Sequence, residues 1–352
     1  MFLSRNRLGH ILLLTFSGTQ LFAQTSGSGG SNPRNGRDNN PYSKYGMGEL
    51  LNGNTPALKA MGNISSVWSS SYAINTDNPA TYAFFENNRA VFVISGTGSS
   101  RTTHGTINGV AANYTSGTAT INSMALAIPV SNAAGFTMGF RPQTRTYYNL
   151  VDSIGFGSNP PSPIGNAKKY YGGEGALNYA FLGGAAKFKG LSIGVNVGYL
   201  FGDLSNSTLL VPQNDSLVFR SQTAEYSTQT RTGGIYWKSG LLYEVKLDST
   251  LKLRIGGTFN MSQKVKQHFS EYHISRFSYT DTLIRDTMYA VKDVRGNATM
   301  PLSYSVGVML LSENKWGIGL DYSATSWSDF NSTVNSAWSK GLATSTWKMG
   351  LG

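Results

Sequence analysis

Residues 191–201 read LSIGVNVGYLF, and their apolar side chains recur at every second position. Ser, Gly and Asn lie between them, with Leu200 as the one exception. Because successive side chains of a β-strand point to opposite faces, this segment predicts a strand with one apolar face and one small or polar face. The pattern leaves open whether the apolar face contacts a protein core or a lipid bilayer.

The same alternation recurs in other parts of the chain. The additional segments are 135–141, 235–245, 251–261, 302–310 and 316–322. Strands of globular proteins average about 5–6 residues, whereas a tilted strand needs about 9–11 to cross a bilayer, and three of these segments reach that length. Their polar positions hold Lys, Arg, Asn, Thr and Gly, and aromatic residues cluster toward their ends. These features predict an all-β fold, a transmembrane antiparallel β-barrel.

The connections between these segments support the same fold class. Short turns alternate with long polar stretches, which predicts short periplasmic turns and long external loops, the latter at roughly 142–170, 203–232, 263–298 and 323–342. About ten strands follow from this rule, beginning near residues 88, 118, 134, 172, 191, 232, 251, 298, 316 and 344. A closed barrel must pair its last strand with its first, and the last one reaches Gly352 in mid-pattern. We therefore expect the barrel of residues 87–352 to be incomplete at its C-terminus.

The composition excludes several classes of protein. The 352 residues include no Cys, which excludes a disulfide scaffold and a thiolate metal site. No segment approaches about 18 consecutive apolar residues, which excludes a helical membrane protein. The formal net charge is +11 without any run of Lys or Arg, so we expect no nucleic acid as a partner, and instead the anionic headgroups of outer-membrane lipids or anionic solutes in a lumen.

The N-terminal residues predict export and a separate segment before the barrel. Residues 1–23 carry two arginines, a short apolar stretch and a small residue at the predicted cleavage site, as a signal peptide does. Residues 24–40 are rich in Gly, Ser and Asn and predict a flexible linker. Residues 41–86 lack period-2 order but contain apolar anchors, so we expect an N-terminal plug inside the barrel. The alternative is a periplasmic tail or an extra strand.

Several motifs resemble a known family. NPYSKYGMGEL (41–50 with the preceding Asn), NTDNPATYA (75–83) and KWGIGLDYSATSWSDF (315–330) are similar to the Bacteroidetes branch of the FadL/TodX-type outer-membrane transport proteins. The resemblance runs from about residue 40 to the end. It implies a 14-stranded barrel with an N-terminal hatch, so that about four strands would be missing here. Asn78, Pro79 and Ala80 resemble a signature of the family's plug.

The resemblance also implies a function in the bacterial outer membrane. Members of the family pass hydrophobic compounds, typically long-chain fatty acids, which leave sideways through the barrel wall. Gly or Pro in a strand can weaken a wall, so Gly135, Gly139 and Pro142 are candidates for a kink. The alternative is that the glycines only bend the strands around the barrel. The long stretch 203–232 is mostly polar, and we find no dense apolar cluster in it that would predict a capture groove.

The charged and titratable residues give a weaker indication of function. The best candidates for charges facing the lumen are Lys238, Glu244, Lys252 and Arg254, which could set solute preference or only neutralise one another. His268 and His273 flank Glu271, and we interpret them as solvated loop residues and not as a catalytic or metal site. The sequence has no catalytic motif, so we predict no catalytic residue, metal or cofactor.

Three hypotheses about function follow. The first is an outer-membrane channel for passive uptake of hydrophobic solutes, closed by a plug in its lumen and with lateral exit. The second is a non-transporting partner or shuttle component of a protein secretion system, which would act through external loops. The third and weakest is a barrel enzyme.

Overall fold

The computed structural model describes residues 39–51, 53–107, 110–154, 166–213, 223–279, 282–312, 315–333 and 345–351. The predicted signal peptide lies outside the described residues, as does the predicted linker up to residue 38.

The described chain consists mainly of β-strands. In chain order they are β1 (Glu49–Leu50), β2 (Val91–Ile107), β3 (Val110–Ser131), β4 (Ala134–Ile154), β5 (Ala167–Phe188), β6 (Leu191–Pro212), β7 (Thr223–Lys246), β8 (Leu251–Asn260), β9 (Gln263–Tyr279), β10 (Thr282–Met300), β11 (Ser303–Ser312), β12 (Trp316–Ser326), β13 (Asn331–Ser332) and β14 (Ser345–Leu351). One short α-helix covers Pro56–Ala60, and 3₁₀ helices cover Pro41–Lys44, Pro79–Phe84 and Trp327–Asp329. Among the described residues, no helix is long and apolar enough to cross a membrane.

The strands form one curled antiparallel sheet. Its main path runs β14-β12-β11-β8-β7-β6-β5-β4-β3-β2. The ten strands of this path coincide with the ten that the sequence predicts, so the all-β antiparallel fold class is confirmed. The two-residue strands β1 and β13 and the β9–β10 hairpin lie off the path. The fourteen-stranded closed barrel that the resemblance implies therefore stays a prediction.

The predicted long loops are wrong for much of their length. Strands β4 and β5 extend through most of the stretch 142–170, and β6 and β7 extend into 203–232. In place of the predicted loop at 263–298, strands β9 and β10 form a hairpin that pairs from Gln263↔Met300 to Tyr279↔Thr282. The reason is that a ladder needs only backbone groups and compatible side chains, and Thr, Tyr and Val have high strand propensity even where no apolar face is required.

Strand β6 defines the two faces of the sheet. Its apolar positions, from Leu191 through Phe201, are all exposed at every second residue. Ser192, Gly194 and Asn196, which alternate with them, are buried. The exception in the pattern, Leu200, is buried on the same side as these residues. We call this buried side the inner face and the apolar exposed side the outer face.

The outer face is apolar across neighbouring strands. Cross-strand pairs such as Leu182↔Val197, Tyr199↔Ile235 and Ile255↔Val308 place exposed apolar side chains next to one another. Monomeric soluble proteins rarely expose contiguous apolar patches larger than a few hundred Å². An apolar exterior over a polar interior is typical of a transmembrane barrel.

The buried core lies on the inner face and has three parts. One cluster comes mainly from the sheet itself and includes Leu177, Tyr179, Phe181, Leu200, Leu204 and Tyr236. The other two join residues before the first long strand to the sheet. They comprise Ile74, Tyr82, Phe85, Val91, Ala125 and Ala127, and Ile64, Val67, Ala80, Leu242 and Met309. The inner face is thus packed with side chains.

Candidate functional site

The N-terminal segment, residues 39–86, lies against the inner face of the sheet. Its first part runs along β4: the Asn40 backbone N–H donates to the Tyr147 carbonyl at 3.0 Å, and β1 pairs Glu49 with Arg145. Glu49 accepts a hydrogen bond from Arg101 of β2 at 2.7 Å. The segment therefore bridges β4 and β2 at this level.

This contact coincides with an interruption between β3 and β4. Their ladder extends from Ser131↔Ala134 only as far as Met124↔Phe140, although both strands continue. Pro142 lies two residues after Phe140, and the pairing of β4 with β5 shifts register between Pro142 and Thr144. Because proline has no N–H to donate, it is found at sheet edges and bulges. Beyond this point β1 pairs with β4 where β3 has separated from it.

The other two kink candidates are paired on both sides, although the β3–β4 register shifts next to Gly135. Gly135 pairs with Pro129 and Ala185, and Gly139 pairs with Ala125 and Phe181. A Cβ atom at Gly135 would overlap with the carbonyl of Tyr82, so the glycine allows a close approach of the N-terminal segment. A role of these glycines in kinking the wall stays a prediction.

Asn78, Pro79 and Ala80 form the centre of the N-terminal segment. The Asn78 Oδ1 atom accepts a hydrogen bond from the Ala80 N–H at 3.0 Å and caps the 3₁₀ helix, with Pro79 in its first position. The Asn78 Nδ2 group donates to the carbonyls of Ser66 and Leu241. One side chain therefore closes the local turn and ties it both to an earlier part of the segment and to β7.

A row of small residues on the inner face receives this turn. Its members pair directly across seven strands: Gly135, Ala185, Gly194, Gly240, Thr258, Ser305 and Ser323. A Cβ atom at Gly194 would lie 2.5 Å from the carbonyl carbon of Pro79, and one at Gly240 would overlap with Asn78. We call these seven residues the small-residue row. The row was missed in the sequence analysis because it becomes visible only when the strands are in register.

Hydroxyl groups of the row and the neighbouring Asp321 carboxylate also bind the N-terminal segment. Ser66 donates its backbone N–H to one carboxylate oxygen of Asp321 at 2.9 Å, and its Oγ donates to the other at 2.7 Å. The Oγ atoms of Ser66 and Ser305 are 2.7 Å apart, and Ser305 lies 2.7 Å from the Thr258 hydroxyl. All four side chains are buried. A buried network of this kind holds its members in one geometry.

Three charged groups meet beside the Asn78 turn. Arg141 Nη1 lies 2.7 Å from Asp77 Oδ1, and Lys238 Nζ lies 3.8 Å from the same oxygen. Arg141 is buried, and its Nη1 also donates to the Thr76 hydroxyl at 3.4 Å. Of these groups only Lys238 was singled out from the sequence. Asp77 and Arg141 were missed because a contact between them depends on strand register.

The remaining predicted lumen charges lie on the inner face of the neighbouring strands. Glu244 of β7 accepts a hydrogen bond from Arg254 of β8 at 2.7 Å. Arg254 also donates to the Ser69 carbonyl at 3.3 Å and lies over the Phe84 ring at 5.4 Å. Lys252 lies two residues before Arg254 on β8, so both side chains point to the same face. Glu244 and Arg254 thus neutralise each other and contact the N-terminal segment.

Two titratable groups of the N-terminal segment have shifted pKa values. Burial raises the pKa of Tyr82, whose hydroxyl accepts a hydrogen bond from Asn196 Nδ2 at 3.1 Å. Burial alone would also raise the pKa of Glu49, but hydrogen bonds from Arg101 and Asn40 outweigh it and lower the pKa of this carboxyl. Tyr82 therefore stays neutral, whereas Glu49 stays ionised at neutral pH.

A small cavity borders the charged groups. It has a volume of about 230 Å³, and its lining includes Arg141, Lys238, Asp77, Tyr236, Asn260 and Ser305. Typical ligand pockets have about 300–1,000 Å³ and mainly apolar walls. The cavity is thus small and polar for a hydrophobic ligand.

The two histidines that the sequence analysis considered, His268 and His273, lie away from this site. His268 is 2.6 Å from Asp293, and His273 is 2.9 Å from Glu271, on the exposed β9–β10 hairpin. Within the described ranges, no group of three His, Asp or Glu residues is arranged to hold a metal ion.

Comparisons with known proteins identify a family match. The family model described as BamG matches residues 13–351. Among solved structures, the chain is similar to the CymD monoaromatic hydrocarbon channel, with 13% sequence identity and a TM-score of 0.48. That alignment covers 86% of this chain and 78% of the CymD chain. No curated protein matches the sequence.

Proposed function

Because the chain belongs to the BamG family, we propose that it is an outer-membrane protein that works as a partner in a protein complex related to the Bam complex. In this proposal the hairpins that extend beyond the membrane make the functional contacts with the partner proteins. The N-terminal segment is a plug that closes the inner face. The role is not enzymatic.

The membrane location is supported by the outer face. Apolar side chains of β6 are exposed at every second position, while the alternate positions are buried against the N-terminal segment. Placing this face in lipid removes an apolar surface from water at roughly 25 cal/mol per Å². The predicted signal peptide, residues 1–23, would direct the chain to export.

The single observation that carries the partner role is how closely the N-terminal segment packs on Gly135, Gly194 and Gly240 of the small-residue row. Pro79 lies so close to Gly194 that even a methyl group would not fit between them. Polar contacts of Asn78, Asp77 and Ser66 also hold the N-terminal segment on the inner face. A segment fixed in this way supports an inner face that stays blocked, so that the protein acts through its external hairpins.

A second candidate function is supported by the interrupted β3–β4 ladder. Passive uptake of hydrophobic solutes, such as long-chain fatty acids, would need a lateral exit through the wall. Beside Pro142, residues 39–51 occupy the place next to β4 that β3 leaves. Such an exit would open if the whole N-terminal segment left the inner face and carried these residues with it, so this candidate requires the segment to be mobile.

A disulfide between Ser66→Cys and Ser305→Cys separates the two candidates. Their Oγ atoms are 2.7 Å apart, which favours the Cβ separation of about 3.5–4.5 Å that a disulfide needs. The chain has no other Cys, so the bond would lock the N-terminal segment to β11 specifically. We expect the locked protein to be recovered from outer membranes in the same Bam-related complex, and in the same amount, as the unmodified protein.

The matched control is the same double variant after reduction. Uptake of labelled long-chain fatty acid should be equal in cells with the unmodified protein, the locked protein and no protein. Uptake that requires the protein, disappears on locking and returns on reduction would overturn the partner role and establish the second candidate.

A further inference from the structure

The outer face changes from apolar to basic along one line across four strands. On β6 the exposed positions pass from Tyr199 and Phe201 to Asp203, and on β7 they pass from Ile235 to Arg231. On β9 the exposed Lys266 pairs with Gly233, level with Phe201, and the exposed Lys264 lies two residues nearer the apolar surface. The line lies on the half of the sheet away from the short turns, where β6 and β7 extend beyond the apolar surface.

Strand register brings these charges together. Asp203 pairs with Arg231, Arg231 with His268, and His268 with Arg295, so one row crosses β6, β7, β9 and β10. The next row contains Phe201, Gly233, Lys266 and Asn297. Residues directly opposite on paired strands point to the same face. We call Arg231, Lys264, Lys266, His268 and Arg295 the basic patch.

The two carboxylates nearby are already engaged. Asp203 lies 3.0 Å from Arg231, and Asp293 lies 2.6 Å from His268 and 3.5 Å from Arg295. Lys264 and Lys266 are exposed and have no ion pair among the residues that the structure describes. Two residues apart on one strand, their side chains project from the same face at a spacing of about 7 Å. The patch therefore keeps an excess of positive charge, centred on these two lysines.

We propose that the basic patch binds the phosphate groups of a phosphorylated lipid in the adjacent membrane leaflet. The ammonium groups complement the phosphates, while acyl chains of the same molecule lie on the neighbouring apolar surface of Tyr199, Phe201 and Ile235. The tyrosine hydroxyl sits beside Gly233, at the boundary of the two regions. Aromatic side chains are enriched at this level of membrane proteins. The site depends on the membrane location and is independent of the partner role.

The test uses the full chain in phosphatidylcholine nanodiscs with bis-phosphorylated lipid A as the probe. The double variant Lys264→Gln/Lys266→Gln should bind the probe about thirtyfold more weakly, since each basic residue near a membrane surface contributes about 1 kcal/mol. The control Lys246→Gln/Lys315→Gln removes the same charge from exposed positions at the short-turn end and should bind as the unmodified protein does.

Three outcomes would overturn the proposal. They are unchanged binding by the Lys264/Lys266 variant, an equal loss in the control, and displacement of the lipid by equimolar inorganic phosphate, which would indicate a site for free anions. All four substituted lysines are exposed, so heat-modifiable migration in gels should stay that of the unmodified protein and confirm that each variant is folded.

Discussion

Replacing Asp77 with asparagine is expected to lower the free energy of unfolding by about 3–5 kcal/mol, the range for breaking a buried ion pair. The carboxylate lies 2.7 Å from Arg141 and 3.8 Å from Lys238, and Arg141 is buried. Without it, two cations would face each other on the inner face, beside the small cavity that they line. Urea titration of the protein in detergent micelles measures the change.

Asp203→Asn is the matched control for this prediction. Asp203 also forms a short ion pair, at 3.0 Å from Arg231, but both side chains are at least half exposed. Exposed ion pairs contribute about 0–1 kcal/mol to stability, so the free energy of unfolding of the control should fall by less than about 1 kcal/mol. Equal losses in the two variants would show that Asp77 is not part of a buried contact and that the N-terminal segment is not seated as described.

The second large effect is expected from Gly194→Ala. The added methyl group would lie 2.5 Å from the carbonyl carbon of Pro79, against backbone atoms that cannot move without moving the whole turn. Overpacking of a well-packed site costs about 1–3 kcal/mol. We expect a lower melting temperature and release of the Asn78 turn, detected as new protease cleavage sites within residues 75–85.

Gly184→Ala provides the comparison for the glycine variant. Gly184 lies on the neighbouring strand β5, and a Cβ atom there would be 3.8 Å from its nearest neighbour, which is ordinary van der Waals contact. Its melting temperature and cleavage pattern should match those of the unmodified protein. If both alanine variants behave alike, the small-residue row is not the seat of the N-terminal segment.

The strands could be predicted from the sequence because alternation is a local signal. In β6 the polar residues Ser192 and Asn196 lie between apolar ones, and this pattern requires no knowledge of neighbouring strands. The Asn78–Pro79 turn is local as well, since Asn caps and Pro begins a helical turn.

The polar hairpin could not be predicted from alternation. Residues 263–298 have mixed charged and polar side chains, a pattern that predicts a loop. In the structure these residues form β9 and β10, which pair along nearly their whole length. Strand β9 also pairs with β7, where Gly233 is opposite Lys266. Outside an apolar environment a strand needs no apolar face, so its sequence carries little periodic signal.

The site could be predicted only in part because its contacts join distant residues. Arg141 and Asp77 are separated by 64 positions, and their contact requires both the register of β4 and the path of the N-terminal segment. The small-residue row depends in the same way on seven strands being aligned. A single sequence contains neither piece of information.

The apolar outer face is expected to lie in lipid, while the N-terminal segment closes the opposite face. The chain has no Cys, so single cysteines can be introduced and spin-labelled without background. The most direct measurement places labels at Ile193, Val195 and Val197 on β6, and at Arg231 and Lys266 in the basic patch, in protein reconstituted into vesicles. Collision rates with oxygen, which concentrates in lipid, are then compared with those of a water-soluble nickel chelate.

We predict that oxygen collisions dominate at the three β6 positions and that the nickel chelate dominates at Arg231 and Lys266. That result would place the boundary of the membrane between the apolar surface and the basic patch. High accessibility of Ile193, Val195 and Val197 to the nickel chelate would contradict the account, because the outer face of the sheet would then lie in water.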